Sequence, residues 1–316
     1  MKSLRIVKTI LKKRINSVSS AAQRGVCISR VCRIFQISRS SYYNAQKETE
    51  KVLADEELML QIEEIQQKYA FTIGRRRMTS LLQKRFGVTV GECQAARVMR
   101  KFGLLAKIRQ IRKARMTTRH AVKNGLPENI LNRNFTCTEP RKHFVTDVTY
   151  IPYYEKGEWH WAYLSLILDL YNREIVAWRL SRHQNIQLAL DTLSMLTFKK
   201  PAEGAMLHSD HGSIYTAQIF REALKANRIT QSLSRVGNCH DNAPMECFNG
   251  TLKVEALYNR DFPGSELTSF MDRNRLIEKY INFYNQERPH STLNYLSPCE
   301  KYPLDFKQRE GTQLSC

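Results

Sequence analysis

From residue 144 onward the apolar positions of the chain fall into short runs with a period near two. "HFVTDVTYIPYY", "WHWAYLSLILDLY" and "NREIVAWRLS" predict three β-strands, with tight turns at Gly157 and Asn172. The pattern then alternates. "NIQLALDTLSMLTF" has helical spacing, "AMLHSD" reads as a short strand, "YTAQIFREALKANR" as a helix and "TQSLSR" as another short strand. A last helix carries two stripes: Met245, Phe248 and Leu252 are apolar, and Asn242, Glu246, Asn249 and Lys253 are polar. Three strands followed by alternating helix and strand predict an α/β domain, a mixed five-stranded sheet with helices on both faces.

Upstream the period is that of helices. In "ISRVCRIFQISRSSYY" the apolar spacing gives a helix, "QIS" the turn, and "RSSYY" a second helix that opens with a base and hydroxyls. That is the end a helix-turn-helix presents to DNA, and Arg39 and Ser40 stand there. Helical pattern resumes over residues 55–105, in "DEELMLQIEEIQQKY", "GRRRMTSLLQKRFG" and "TVGECQAARVMRKFGLL". Arg75, Arg76 and Arg77 are its candidate nucleic-acid contacts. An ordinary helical hairpin would explain the first of these units equally well on pattern alone.

Charge decides between these readings. Residues 1–143 hold 31 Lys and Arg against 10 Asp and Glu, and residues 144–316 hold 19 against 20. The whole excess of +20 therefore sits in the first part. High charge kept only for solubility needs no such segregation, whereas a polyanion-binding arm on a neutral body does. Eight cysteines include no CxxC pair, and no secretory signal precedes them. "MKSLRIVKTILKKRINS" is interrupted by Lys and Arg and reads neither as a signal nor as a membrane span. A reduced, cytoplasmic protein is expected, without a zinc site, since the first 119 residues lack His.

Three acids stand out by position. Asp147 interrupts an apolar strand, Asp210 follows the strand "MLH" where open α/β sheets place ligands, and Glu246 centres the polar helical stripe. Each alone reads as a cap or turn residue. Together they make an oxygen nest suited to Mg²⁺ or Mn²⁺. Two such ions can activate an attacking oxygen and stabilise a leaving one in phosphodiester chemistry.

Thirty-five residues lie between Asp210 and Glu246. With "TDVTYIP", "HSDHGSIYTA", "GNCHDNAPMECFNGTLKVE" and "YNQERPHSTLNYLSP", the chain resembles the OrfB transposases of insertion sequences with two overlapping reading frames. The resemblance implies an RNase-H-like, retroviral-integrase-like core with Asp147, Asp210 and Glu246 as metal-binding catalytic triad. It also implies Lys253 as a DNA-contacting residue. The organisation it suggests is a helix-turn-helix region at residues 1–50, a second helical unit at 51–110 and a basic linker at 111–143. The catalytic core and its C-terminal helix would then fill 144–300, with a tail at 301–316. Expected partners are the element's terminal inverted repeats, target DNA, further copies of the chain and an upstream-frame OrfA protein, in the bacterial nucleoid. A silent DNA-binding regulator is the rival reading, and a ribonuclease H the third. Asp169 is expected to pair with Arg173, Asp241 to cap a helix, and Tyr284, Arg288 and His290 to pack and touch DNA.

Overall fold

The computed structural model describes residues 17–21, 24–107, 126–235 and 237–302. Residues 1–16, 111–125 of the expected linker and 303–316 of the expected tail lie outside the described residues. The chain divides into two compact units, Met1–Ile65 with Leu81–Leu105, and Gln66–Ser80 with Ala106–Cys316.

In the first unit, α1 (Ile28–Ile34) and α2 (Arg39–Lys68) are joined by the "QIS" turn. Gln36 takes φ +54°, and Ile37 is buried with its amide on the Cys32 carbonyl at 2.9 Å. Ser38 Oγ accepts the Ser41 amide at 2.9 Å, the bond that satisfies an orphan donor at a helix start. Val18, Val31, Cys32, Ile37 and Tyr42 close a small core. The helix expected to open at "RSSYY" and the one expected over "DEELMLQIEEIQQKY" are one helix of 30 residues. No Gly or Pro occurs within it to stop the ladder. Next come α3 (Arg75–Phe86), whose residues up to Ser80 belong to the second unit and which is ended by Gly87 at φ +69°, and α4 (Glu92–Lys101). Asp55, on α2, receives both Arg97 Nη atoms at 2.6 and 2.5 Å and Lys101 Nζ at 3.1 Å. The Arg97 bonds hold its carboxyl well below the usual range.

The second unit contains β1 (His143–Glu155), β2 (Glu158–Asp169), β3 (Ile175–Ser181), α5 (Ile186–Phe198), β4 (Met206–Ser209), α6 (Ser213–Thr216), α7 (Gln218–Ala226) and β5 (Thr230–Leu233). Then come α8 (Ala243–Leu252), a π-helical turn (Lys253–Leu257) and α9 (Phe270–Gln286). The sheet order is β3-β2-β1-β4-β5. Strands β1, β2 and β3 pair antiparallel, and β4 and β5 run parallel to β1. The sheet is the mixed five-stranded one expected.

The β1–β2 turn is two residues, Lys156 at φ +53° and Gly157 at φ +85°, and a turn with both φ positive matches the right-handed twist of the strands. The second turn includes Asn172, as expected. Asn172 is fully buried and donates to the Pro298 carbonyl at 3.1 Å, and the left-handed residue is its neighbour Arg173 (φ +65°). "YTAQIFREALKANR" is not one helix. It breaks at Ala217, which is extended at ψ 139°, so that Tyr215 and Phe220 can both be buried.

Side chains alternate between two cores. Val145, Ile151, Leu164 and Leu166 meet Met245, Phe248 and Leu252 of α8 and Ile277 and Tyr280 of α9. Phe144, Ile167, Ala177 and Leu207 meet Leu193 of α5 and Phe220 and Leu224 of α7. Each such burial stabilises by roughly 1.5–3 kcal/mol. The apolar stripe of α8 thus seats that helix on the sheet, as its spacing predicts. Residues 128–131 lie against β5: the Ile130 and Leu131 amides donate to Ser232 Oγ, and Leu131 is buried. Among the described residues, no helix is long and apolar enough to cross a membrane.

Candidate active site

Strand β4 pairs with only three residues of β1, and the ladder ends at Val145 opposite His208. Two residues past this last pair on each chain segment stand Asp147 and Asp210, and the charge of Asp210 is felt at Asp147. His208 anchors this end of β4. Its ring nitrogens face Ser232 Oγ at 2.8 Å and Ser234 Oγ at 3.1 Å, tying β4 to β5 and the segment after it.

The polar stripe of α8 fills the fork between the strands. Asn242 Nδ2 donates to the Thr146 carbonyl at 3.0 Å, where a further strand residue would otherwise bond. Asn249 Nδ2 donates to Asp147 Oδ2 at 2.9 Å, and Asp147 Oδ1 accepts the Val148 amide at 2.8 Å. Glu246 is exposed between them. Burial, then the charges of Asp210 and Glu246, push the Asp147 carboxyl up to about 7, against the Val148 amide and Lys253. Burial lowers the Lys253 ammonium while Asp147 holds it up, so the two groups share one field. Asp147 therefore lies in the field of Asp210, Glu246 and Lys253.

Two residues in the site carried no signal in the sequence pattern. Asp210 Oδ1 accepts the Gly212 amide at 2.9 Å, and a Cβ on Gly212 would lie 2.9 Å from that oxygen. Any side chain there displaces the carboxylate. Tyr215 is buried with its hydroxyl 3.3 Å from Thr146 Oγ1, directly behind Asp147.

The remaining candidates are dispersed. Arg39 and Ser40 are exposed at the start of α2, and Arg75 and Arg76 at the start of α3. Arg77 turns inward instead: its Nη2 donates to the Thr72 carbonyl at 3.0 Å and its Nη1 lies 3.9 Å from Glu255. Asp169 does not pair with the Arg173 guanidinium. It accepts the Arg141 and Tyr171 amides at 2.8 and 2.9 Å, while Arg173 donates to the Phe135 carbonyl. Tyr284 is buried edge-on to Phe248, ring centres 4.7 Å apart, and Arg288 is bound by Glu255. Cys27, Cys32, Cys93, Cys137, Cys247 and Cys299 are free thiols.

Asp241 is not a helix cap. It is fully buried and accepts Arg235 Nε and Nη2 at 2.9 Å and Arg133 Nε at 2.6 Å. The Arg235 bonds hold its carboxyl well below the usual range. The folded chain keeps Asp241 ionised at lower pH than the unfolded chain does. This stabilisation is therefore complete above about pH 3.9 and is lost as pH falls further. Denaturation curves of wild type and Asp241→Asn, taken from about pH 7 downward, are expected to converge below about pH 4. A gap between them that does not change with pH would remove the ion pair as its cause.

An integrase core domain model matches residues 138–239, a second integrase core domain model matches 227–298, and an HTH-like domain model matches 53–112. Fold and matches together define an integrase-core protein with a helical DNA-binding-type region ahead of it. The chain is 36% identical over 279 residues to the 31 kDa protein of insertion element IS600 from Shigella sonnei, covering 86% of this chain and 98% of that protein. It is 33% identical over 275 residues to InsK of insertion sequence element IS150 from Escherichia coli (strain K12), covering 86% and 92%. To the transposase InsF for insertion sequence IS3A of the same organism it is 29% identical over 283 residues, covering 86% and 92%. The chain belongs to the insertion-sequence transposase family with an integrase core. Among solved structures, the HTLV-2 integrase catalytic core domain in complex with magnesium (trimeric form) aligns at TM-score 0.41 and 16% identity, over 52% of this chain and 97% of that one.

Proposed function

We propose that the chain binds the ends of its element, cuts a DNA strand with water and joins the resulting 3′-hydroxyl to target DNA. In this reading Asp147, Asp210 and Glu246 are the catalytic carboxylates. What supports it is placement: Asp147 and Asp210 stand just past the end of the β1–β4 ladder, and α8, which carries Glu246, is tied to Asp147 by the Asn249 hydrogen bond at 2.9 Å. A pure DNA binder gains nothing from carboxylates gathered beside phosphates.

The donor set fits Mg²⁺ or Mn²⁺. The carboxylate of Asp147 lies in the field of those of Asp210 and Glu246, and the buried Oδ1 atoms of Asn242 and Asn249 have no hydrogen-bond partner. All are oxygens, the donors such cations take. Among the described residues no three His, Cys, Asp or Glu side chains form a ready cage. The protein thus offers part of a shell that waters and phosphate oxygens complete. Two bound ions would lower the barrier by activating the attacking oxygen and stabilising the leaving one. The chain's own residues position the rest. Asn249 orients the Asp147 carboxylate, Gly212 leaves room for that of Asp210, and Lys253 holds a DNA phosphate beside them. Arg39, Ser40, Arg75 and Arg76 contact the DNA at a distance in sequence. Joining two ends requires at least two protomers.

The testing experiment is strand cleavage and joining on a duplex of the element's terminal repeat, with Mg²⁺ and with a chelator. Chelation is expected to abolish cleavage and spare binding. Equal cleavage with and without divalent cation would overturn the metal reading. Lys253→Ala is expected to reduce joining of a precut end about tenfold, the worth of one charge-assisted hydrogen bond, with Arg restoring part of it. If Lys253→Ala joins as wild type does, the lysine is a solvated helix residue.

A further inference from the structure

A cavity of about 440 Å³ lies beside α8, walled by Pro244, Cys247 and Thr251. Successive helical residues are about 100° apart, so this wall adjoins the stripe that carries Glu246. Arg77, Arg173, Arg288 and His290 also line it.

The charges in the cavity do not balance. Glu255 receives Arg288 Nε and Nη2, both at 2.7 Å, and the Tyr280 hydroxyl at 3.0 Å. Arg77 Nη1 is 3.9 Å from the same carboxylate, beyond hydrogen-bond reach, and Arg173 donates only to a carbonyl. Two of three guanidinium charges thus have carbonyls as their hydrogen-bond partners. Arg77 Nη1 and His290 Nε2 are buried with no hydrogen-bond partner at all. Burial first, then Arg288, Arg77 and Arg173, push the His290 imidazole down to about 3, so three positive charges reach one neutral ring. Each unsatisfied buried donor costs about 1–3 kcal/mol, and guanidiniums crowded together repel. Apolar residues of similar volume would pack there at lower cost.

An anion removes the imbalance. Guanidinium forks match phosphate oxygens, and the buried Phe248 and Tyr284 rings give an apolar floor against which sugar or base can lie. We propose that this cavity is a second phosphate site, which takes a nucleotide phosphate of the DNA strand lying across Glu246. The assignment of DNA as the source rests on the function proposed above; the phosphate chemistry rests on the cavity.

The test uses the full chain and a short random-sequence duplex without divalent metal, so that no readout depends on cleavage. Arg173→Gln is expected to weaken binding about tenfold and to flatten the slope of log affinity against log salt by ~0.9, one phosphate contact. Arg173→Lys recovers most of the loss, which a merely structural role of the guanidinium would not allow. Arg77→Gln gives the same result from the other end of the cavity should Arg173→Gln melt early. Alkylation of Cys247 at the cavity wall, followed by peptide mass spectrometry against Cys93, slows with DNA in wild type and not in Arg173→Gln. Inorganic phosphate at matched ionic strength is the second probe. If it alone protects Cys247 while Arg173→Gln binds DNA normally, the DNA assignment is overturned in favour of a free phosphate. Protection by neither probe overturns the site. Cleavage by wild type in Mg²⁺ is scored separately, so failure of the carboxylate chemistry and failure of the cavity cannot be confused.

Discussion

Asp147→Asn is expected to lower strand cleavage on the order of a thousandfold while leaving DNA binding within about twofold, the scale seen when one preorganised charge-stabilising group is removed. Asp210→Asn and Glu246→Gln should behave alike. The reason is local. Asp147 accepts from Asn249 Nδ2 and the Val148 amide, so an amide fits the same space once the Asn249 side chain turns to present its unpartnered Oδ1, without moving α8 or β1. What changes is charge at the strand fork. The measurement is single-turnover cleavage with saturating Mg²⁺, beside binding of the same duplex in chelator. Cleavage by any one variant within about threefold of wild type would remove that acid from the triad. Loss of binding in all three would mean that the substitutions disturb the fold and not the chemistry.

The second large effect concerns stability. Glu255→Ala is expected to destabilise the second unit by about 3–5 kcal/mol, because it leaves Arg288 buried and unpaired. In a domain of this size that lowers Tm by roughly 10 °C. Glu255 and Arg288 side chains are only 8% and 12% exposed, so solvent does little to compensate. Glu255→Leu combined with Arg288→Met removes both charges and should recover a large part of the loss. Thermal or urea melts of the two singles and the double decide. If the double is no better than Glu255→Ala, packing around Tyr280 is the dominant contribution and the ion pair is secondary.

Much of this architecture was legible along the chain because it depends on local periodicity. Met245, Phe248 and Leu252 announced the face that seats α8, and the run around Asp147 announced a central strand with a carboxylate needing a reason. The spacing of Asp210 and Glu246 pointed the same way. What was not legible depends on how segments meet in space. Asp241 looked like a cap because one of its arginines, Arg133, comes from a distant segment and the other, Arg235, reaches it only through the fold of the loop between them. Arg77 looked like its neighbours Arg75 and Arg76, and only the position of Glu255 and the Thr72 carbonyl turns it inward. Gly212 carries no pattern signal, because what matters there is the Asp210 oxygen standing 2.9 Å from where its Cβ would be. The join of "RSSYY" to the following helix was hidden by polar residues that suit a helix and a loop equally.

The turn after α8 has a consequence for sequence change. Lys253–Leu257 is wound with five residues to the bond instead of four, one residue more than an α-helix would use. That surplus works as a phase adjustment. At its first residue the turn keeps time with β1, so that Lys253 shares the field of Asp147. Two residues on, within the same turn, Glu255 meets Tyr280 of α9 and Arg288 just beyond it. Deleting one residue here would repair the local hydrogen bonding and rotate everything after it by about 100°. Relatives with a shorter turn could keep the catalytic helix or the buried ion pair in phase, but not both, unless a compensating residue enters elsewhere between Glu246 and Arg288.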